Sequence, residues 1–70
     1  MIEQKFTLRV LRTMRNWTQI EAARRLGVAP STLSFWENGI SYPSVQHIKK
    51  ICEVYGIPYD YIDFLPKGSL

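Results

Sequence analysis

A single cysteine, Cys52, leaves the chain no intrachain disulfide and no Cys-rich zinc site, which takes two or three cysteines with histidine. A reducing, cytoplasmic compartment is expected on that ground. Apolar runs are short, and none approaches the ~18 residues that a membrane helix needs. The leading segment Met1-Ile2-Glu3-Gln4-Lys5 lacks the basic and then apolar layout of a secretory signal. Histidine is nearly missing: His47 has no second His or Cys at ligand spacing, so no metal ion is expected and a solvated or hydrogen-bonding role is. No Gly-rich phosphate loop, paired-carboxylate cleft or nucleophile with its base can be assembled. Ser31, Ser34 and His47 lack an acid or an oxyanion donor to order them. The expectation is a non-enzyme with no cofactor and no small-molecule ligand.

What is present suits one small globular domain spanning residues 1–70. A chain of this size buries only about 60% of the surface its unfolded form exposes. Its core must be compact, and self-association would help it. Two Trp, three Phe and four Tyr argue against a disordered tail. Charge is unevenly placed. Residues 1–38 hold six cationic side chains (Lys5, Arg9, Arg12, Arg15, Arg24, Arg25) against Glu3, Glu21 and Glu37, whereas residues 39–70 balance. The N-terminal half is therefore the half suited to a polyanion, although a solvated helix surface accounts for the charge equally well.

Strand signals are poor, since no clean alternation is bounded by a hairpin dipeptide. Helical signals are better. A first helix is predicted from Phe6 to Arg15, with one stripe of Leu8 and Leu11 and a second of Phe6, Val10 and Met14. A second helix opens on the capping box Thr18-Gln19-Ile20-Glu21, in which the Thr18 hydroxyl accepts from the Glu21 amide and the Glu21 carboxylate reaches back. Ile20, Ala23 and Leu26 are its expected inner face, and Gly27 stops it. Pro30 opens a third helix running to Asn38-Gly39, with Leu33 and Trp36 inward and Ser31, Ser34 and Phe35 outward. A fourth follows the Ser44 cap, burying Val45, Ile48, Ile51, Cys52 and Tyr55 before Gly56. A last helical turn is expected from Tyr59 to Leu65. Arg24, Arg25, Lys49 and Lys50 read as water-facing.

Two helices joined by a short Gly-containing turn make a helix-turn-helix, about residues 18–38. In register, Thr18-Gln19, Ala22-Ala23, Leu26-Gly27-Val28, Ser31-Thr32-Leu33-Ser34 and Trp36-Glu37-Asn38-Gly39 resemble the lambda repressor-like, XRE/Cro-type family. So do the flanks Leu8, Leu11 and Arg12, then Pro43-Ser44 and Tyr55-Gly56-Ile57-Pro58. The resemblance spans about residues 6–64.

It implies an all-α, compact five-helix domain whose third helix, Pro30 to Asn38, enters the major groove of double-stranded DNA. By the same resemblance Gln19 lies at a phosphate and buttresses the third helix, and Thr18 before it is counted among the DNA-binding residues. Pro30, Ser31, Ser34 and Phe35 face the bases, and Thr32 is counted among the DNA-binding residues. Asn38 and the loop through Tyr42 grip the next phosphates, and Arg12 with Glu37 form a structural ion pair between the first and third helices. The sequence departs from the family's habit in carrying Ala29 at the cap and no Arg, Lys, Gln or Asn at the central base-facing positions. Bidentate base pairing is thus missing there, leaving weak hydroxyl contacts, Phe35 against thymine methyls, and DNA shape. Phe35 has a second reading, as a core or interface residue.

The function expected is a sequence-specific transcriptional regulator, a repressor of phage type blocking polymerase sterically. A homodimer on a palindromic operator is expected, with half-sites about 34 Å apart. Its contact is expected from Tyr59, Tyr61, Ile62, Phe64 and Leu65 with the spare stripe of the first helix. A monomer whose C-terminal cluster caps its own core is the alternative. A second functional class also fits, a protein-interaction module built on the same scaffold.

Overall fold

The computed structural model describes residues 5–64. Its order is β1 (Phe6–Thr7), α1 (Leu8–Met14), α2 (Gln19–Leu26), α3 (Pro30–Glu37), α4 (Val45–Tyr55), a 3-10 turn (Tyr59–Tyr61) and β2 (Ile62–Asp63). Three of the four α-helices begin where a hydroxyl satisfies one free amide. Thr7, Thr18 and Ser44 hydroxyls accept from the amides of Val10, Glu21 and His47. In α3 the N-cap is Ala29, which offers no side-chain cap, and Pro30 removes one amide that would need a partner.

The turns follow from residues able to take positive φ. Gly27 closes α2 at φ 76°, its amide donating to the carbonyls of Ala23 and Arg24. Asn16, at φ 60°, is the one non-glycine residue in this region of the map among the described residues, and it lies in the stretch between α1 and α2. Asparagine tolerates that conformation better than most side chains.

Leu8 and Leu11 of α1, Ala22, Ala23 and Leu26 of α2, Leu33 and Trp36 of α3, and Ile51 and Tyr55 of α4 form one buried cluster. Ala22 and Ala23 have no exposed surface. With only a methyl group on each, α2 can lie close to its neighbours, so the helix pair is held by backbone proximity as well as by side-chain area.

Several expectations require correction. Ile20 is 68% exposed: it sits about 120° around the helix from Leu26, given 3.6 residues per turn. The inner face is Ala22, Ala23 and Leu26, with Gln19 rather than Ile20 beside them. Val45, in the first turn of α4, is 81% exposed for the same reason of angular offset. Cys52 is half-buried against the core, and burial pushes its thiol pKa up. The α1 helix starts two residues later than predicted because Phe6–Thr7 pair in parallel with Ile62–Asp63, Phe6 opposite Ile62. The last helical turn is a single 3-10 turn. Ile62, expected within the C-terminal cluster, is only 4% exposed and belongs to the core. Leu65 lies outside the described residues.

Candidate nucleic-acid interface

The junction of α1, α2 and α3 is organised by one carboxylate. Glu37 ends α3, and its side chain has no exposed surface. Arg12 Nε donates to Oε2 at 2.8 Å and Arg12 Nη2 to Oε1 at 3.2 Å. The Gln19 amide donates to Oε1 at 2.9 Å. The remaining Arg12 nitrogen reaches the Trp17 carbonyl at 3.0 Å. Hydrogen bonding to Glu37 raises the Arg12 pKa above its usual value, against the opposing effect of burial. A planar fork against a carboxylate fixes angle as well as distance, so this contact sets where α3 ends relative to α1 and α2.

On the outer side of α3, Pro30, Ser31 and Phe35 are exposed, Phe35 at 46%, while Thr32 and Ser34 are half-buried. Asn38 follows one turn after Ser34. Its Nδ2 donates to Ser34 Oγ at 3.3 Å, and its Oδ1 accepts from Arg9 Nη2 at 2.9 Å. Beyond Asn38 the chain doubles back: the Gly39 amide bonds the Trp36 carbonyl, and those of Ile40 and Ser41 bond the Phe35 carbonyl. Three amides of the segment through Tyr42 are therefore used within the chain. The Tyr42 side chain is exposed. The Thr18 hydroxyl accepts from the Glu21 amide at 3.1 Å.

The Glu21 carboxylate does not return to Thr18. It bonds Arg24 at 2.6 Å and lies 2.7 Å from Arg25, which also stands over the Trp17 ring at 4.4 Å. Those two arginines hold Glu21 below the usual glutamate range, Arg24 contributing most. Arg15 donates to the carbonyls of Leu11 and Tyr55. His47 bonds the Ser44 hydroxyl at 2.9 Å and packs against Trp36, with ring centroids 5.1 Å apart. Away from this region, Tyr59 and Tyr61 are exposed, and Tyr59 stacks on Phe64 at 5.8 Å.

One residue of this face was not anticipated. Arg9 lies one turn before Arg12 on α1, and the i, i+3 spacing is the signal that would have put both on the side facing α3. Among the described residues, no group of three His, Cys, Asp or Glu side chains is placed to hold a metal ion, and no helix is long and apolar enough to cross a membrane.

The helix-turn-helix family matches residues 8–62, and the chain belongs to that family. It is 36% identical over 53 residues to the HTH-type transcriptional activator BcrR of Enterococcus faecalis, a match covering 76% of this chain and 26% of that protein. It is 36% identical over 52 residues to Antitoxin PezA of Streptococcus pneumoniae serotype 4, covering 74% of this chain and 33% of that one. The chain thus spans about a quarter to a third of the length of these curated relatives. No solved structure matches it.

Proposed function

We propose that this member of the helix-turn-helix family is a DNA-binding transcriptional regulator that lays α3 in the major groove. The observation that carries the reading is the rigid seating of α3. Its last residue, Glu37, is clamped by Arg12 and Gln19, while Pro30, Ser31 and Phe35 stay exposed. A reading helix must be held at a fixed angle while its outer face is left for base edges. Gln19 suits a phosphate neighbour, because one amide N–H bonds Glu37 and the amide carries a second. Being related to a named transcriptional activator and a named antitoxin supports a regulatory role.

The finer reading is a repressor that acts by occupying its operator, as a homodimer on a palindrome. Tyr59, Tyr61 and Phe64, with Val10 and Met14 of α1, supply apolar surface for the dimer contact. Phosphate contacts by Thr18, Gln19, Asn38 and Tyr42 fix orientation. The hydroxyls of Ser31, Thr32 and Ser34, with Pro30 and Phe35, give a base or shape preference.

The exposed Phe35 ring favours one rival, a protein contact made by the same face. Selection of bound duplexes from a random pool separates the two, repeated with Ser34→Arg and Phe35→Ala. A palindrome whose half-site changes in the variants supports base reading by α3. No recovered motif at low salt, where phosphate contacts are strongest, overturns it in favour of the protein contact.

A further inference from the structure

The proposed reading helix carries no cation. The only charged side chain in Pro30–Glu37 is Glu37, whose carboxylate is buried and already accepts three hydrogen bonds. Positive charge for a phosphate flanking the end of α3 must therefore come from another element. Most of the arginines are committed elsewhere: Arg12 to Glu37, Arg24 and Arg25 to Glu21, Arg15 to backbone carbonyls.

Arg9 differs from them. Its side chain is 54% exposed, its hydrogen bond among the described residues goes to the neutral Asn38 side chain, and its Nε stands 3.6 Å from the occupied Glu37 carboxylate. Asn38 is in turn bonded to Ser34 on the outer side of α3. The Arg9–Asn38–Ser34 chain of hydrogen bonds thus holds a mostly hydrated guanidinium at the C-terminal edge of the proposed reading face. A guanidinium has five N–H donors, so one bond to Asn38 leaves ample capacity for a phosphate oxygen.

We propose, on the reading of α3 as a DNA-binding helix, that Arg9 is a further DNA-backbone phosphate contact, beside the one proposed for Asn38. The contact adds affinity without sequence preference, because phosphates carry no base information.

The test measures affinity of the full chain for a mixed-sequence duplex against salt concentration, for the parent, Arg9→Gln and Arg9→Lys. Removing one phosphate contact lowers the steepness of log affinity against log salt by about 0.9. Arg9→Gln should therefore lose about 3.5-fold less affinity than the parent between about 50 and 200 mM salt. Arg9→Lys should restore the parent slope, with thermal midpoints nearly equal throughout. A purely structural link between α1 and α3 would instead lower the thermal midpoint in both variants and leave the slope unchanged, which overturns the assignment. If the parent binds with a steep slope and Arg9→Gln matches it, Arg9 is excluded while the DNA reading stands. If the parent shows no salt-dependent duplex binding, the DNA reading fails and this contact with it.

Discussion

The Gln19 amide donates to the Glu37 carboxylate at 2.9 Å, joining the first residue of α2 to the last residue of α3. Because Arg12 holds the same carboxylate from α1, three helices share one anchor. The buried charge is compensated on both sides: Glu37 by a bidentate guanidinium, and Arg12 by Glu37 and the Trp17 carbonyl. Such an arrangement adds little net stability over an apolar pair but fixes geometry. Fixed geometry is what a helix presented to a regular surface needs.

Removing Arg12 leaves Glu37 buried and short of its main partner. Arg12→Ala should lower unfolding free energy by about 3 kcal/mol, the low end for breaking a buried pair, because Arg9 at 3.6 Å supplies part of the missing charge. Arg12→Lys should recover less than half, since an ammonium cannot make the two-pronged contact. Denaturant unfolding of the three proteins checks both statements. A loss below about 1 kcal/mol, typical of exposed pairs, would show that the carboxylate is solvated.

The middle of the chain was legible because its signals are local. Thr18 with Glu21, Gly27 and Pro30 each act within four residues of themselves, so α2, its turn and the start of α3 follow from the sequence. Helical periodicity placed Leu33 and Trp36 inward and thereby Ser31 and Phe35 outward. The features that the sequence hid arise at longer range or in the first turn of a helix. The Phe6–Ile62 pairing joins residues far apart in the chain, and two-residue strands carry no periodicity to read. Ile20 and Val45 look like core residues by composition but sit at helix starts, off the buried arc. The Arg9–Asn38 bond spans 29 positions, and only the folded arrangement of α1 against α3 brings it about.

Gly27 tests whether the turn needs space or only backbone freedom. A Cβ built there meets nothing within 4 Å, yet φ is +76°. Gly27→Ala should therefore cost about 1 kcal/mol, the strain of a left-handed residue carrying a side chain, with the helical circular dichroism unchanged. Gly27→Asn should cost less. A loss well beyond about 2 kcal/mol would mean that the α2–α3 turn closes more tightly than its geometry indicates.

Glu21 gives the molecule an acid sensitivity of known sign. Its pKa is depressed in the folded state by Arg24 first and Arg25 second. The stabilisation is therefore present above the ordinary glutamate range and is lost as pH falls through the lowered value. Thermal midpoints should drop over that window more for the parent than for Glu21→Gln. A carbon-detected titration of the Glu21 carboxyl should show the depressed value directly. Parallel midpoint curves for the two proteins would sink the assignment.

Tyr55 offers the converse case, a buried polar atom with nothing to bond among the described residues. The residue is 1% exposed, its ring lies 5.7 Å from Trp17 and under the Arg15 guanidinium, and its hydroxyl has no hydrogen-bond partner among the described residues. An orphaned buried hydroxyl costs about 1–3 kcal/mol, while the ring fills core volume. Tyr55→Phe should thus hold or raise stability by up to about 1 kcal/mol, whereas Tyr55→Ala should lose about 3 kcal/mol or more through the cavity it leaves. The pH dependence supplies an independent check. Burial pushes the phenol pKa up from 10.0 to about 12, so its neutral form is favoured by folding. That contribution is complete below pH 10.0 and is lost as pH rises toward about 12. Denaturation curves across this window should therefore fall more steeply for the parent than for Tyr55→Phe, the other tyrosines and the lysines being common to both. If Tyr55→Phe instead destabilises at neutral pH, the hydroxyl has a partner, such as a buried water, and the core is more polar at this point than its packing implies.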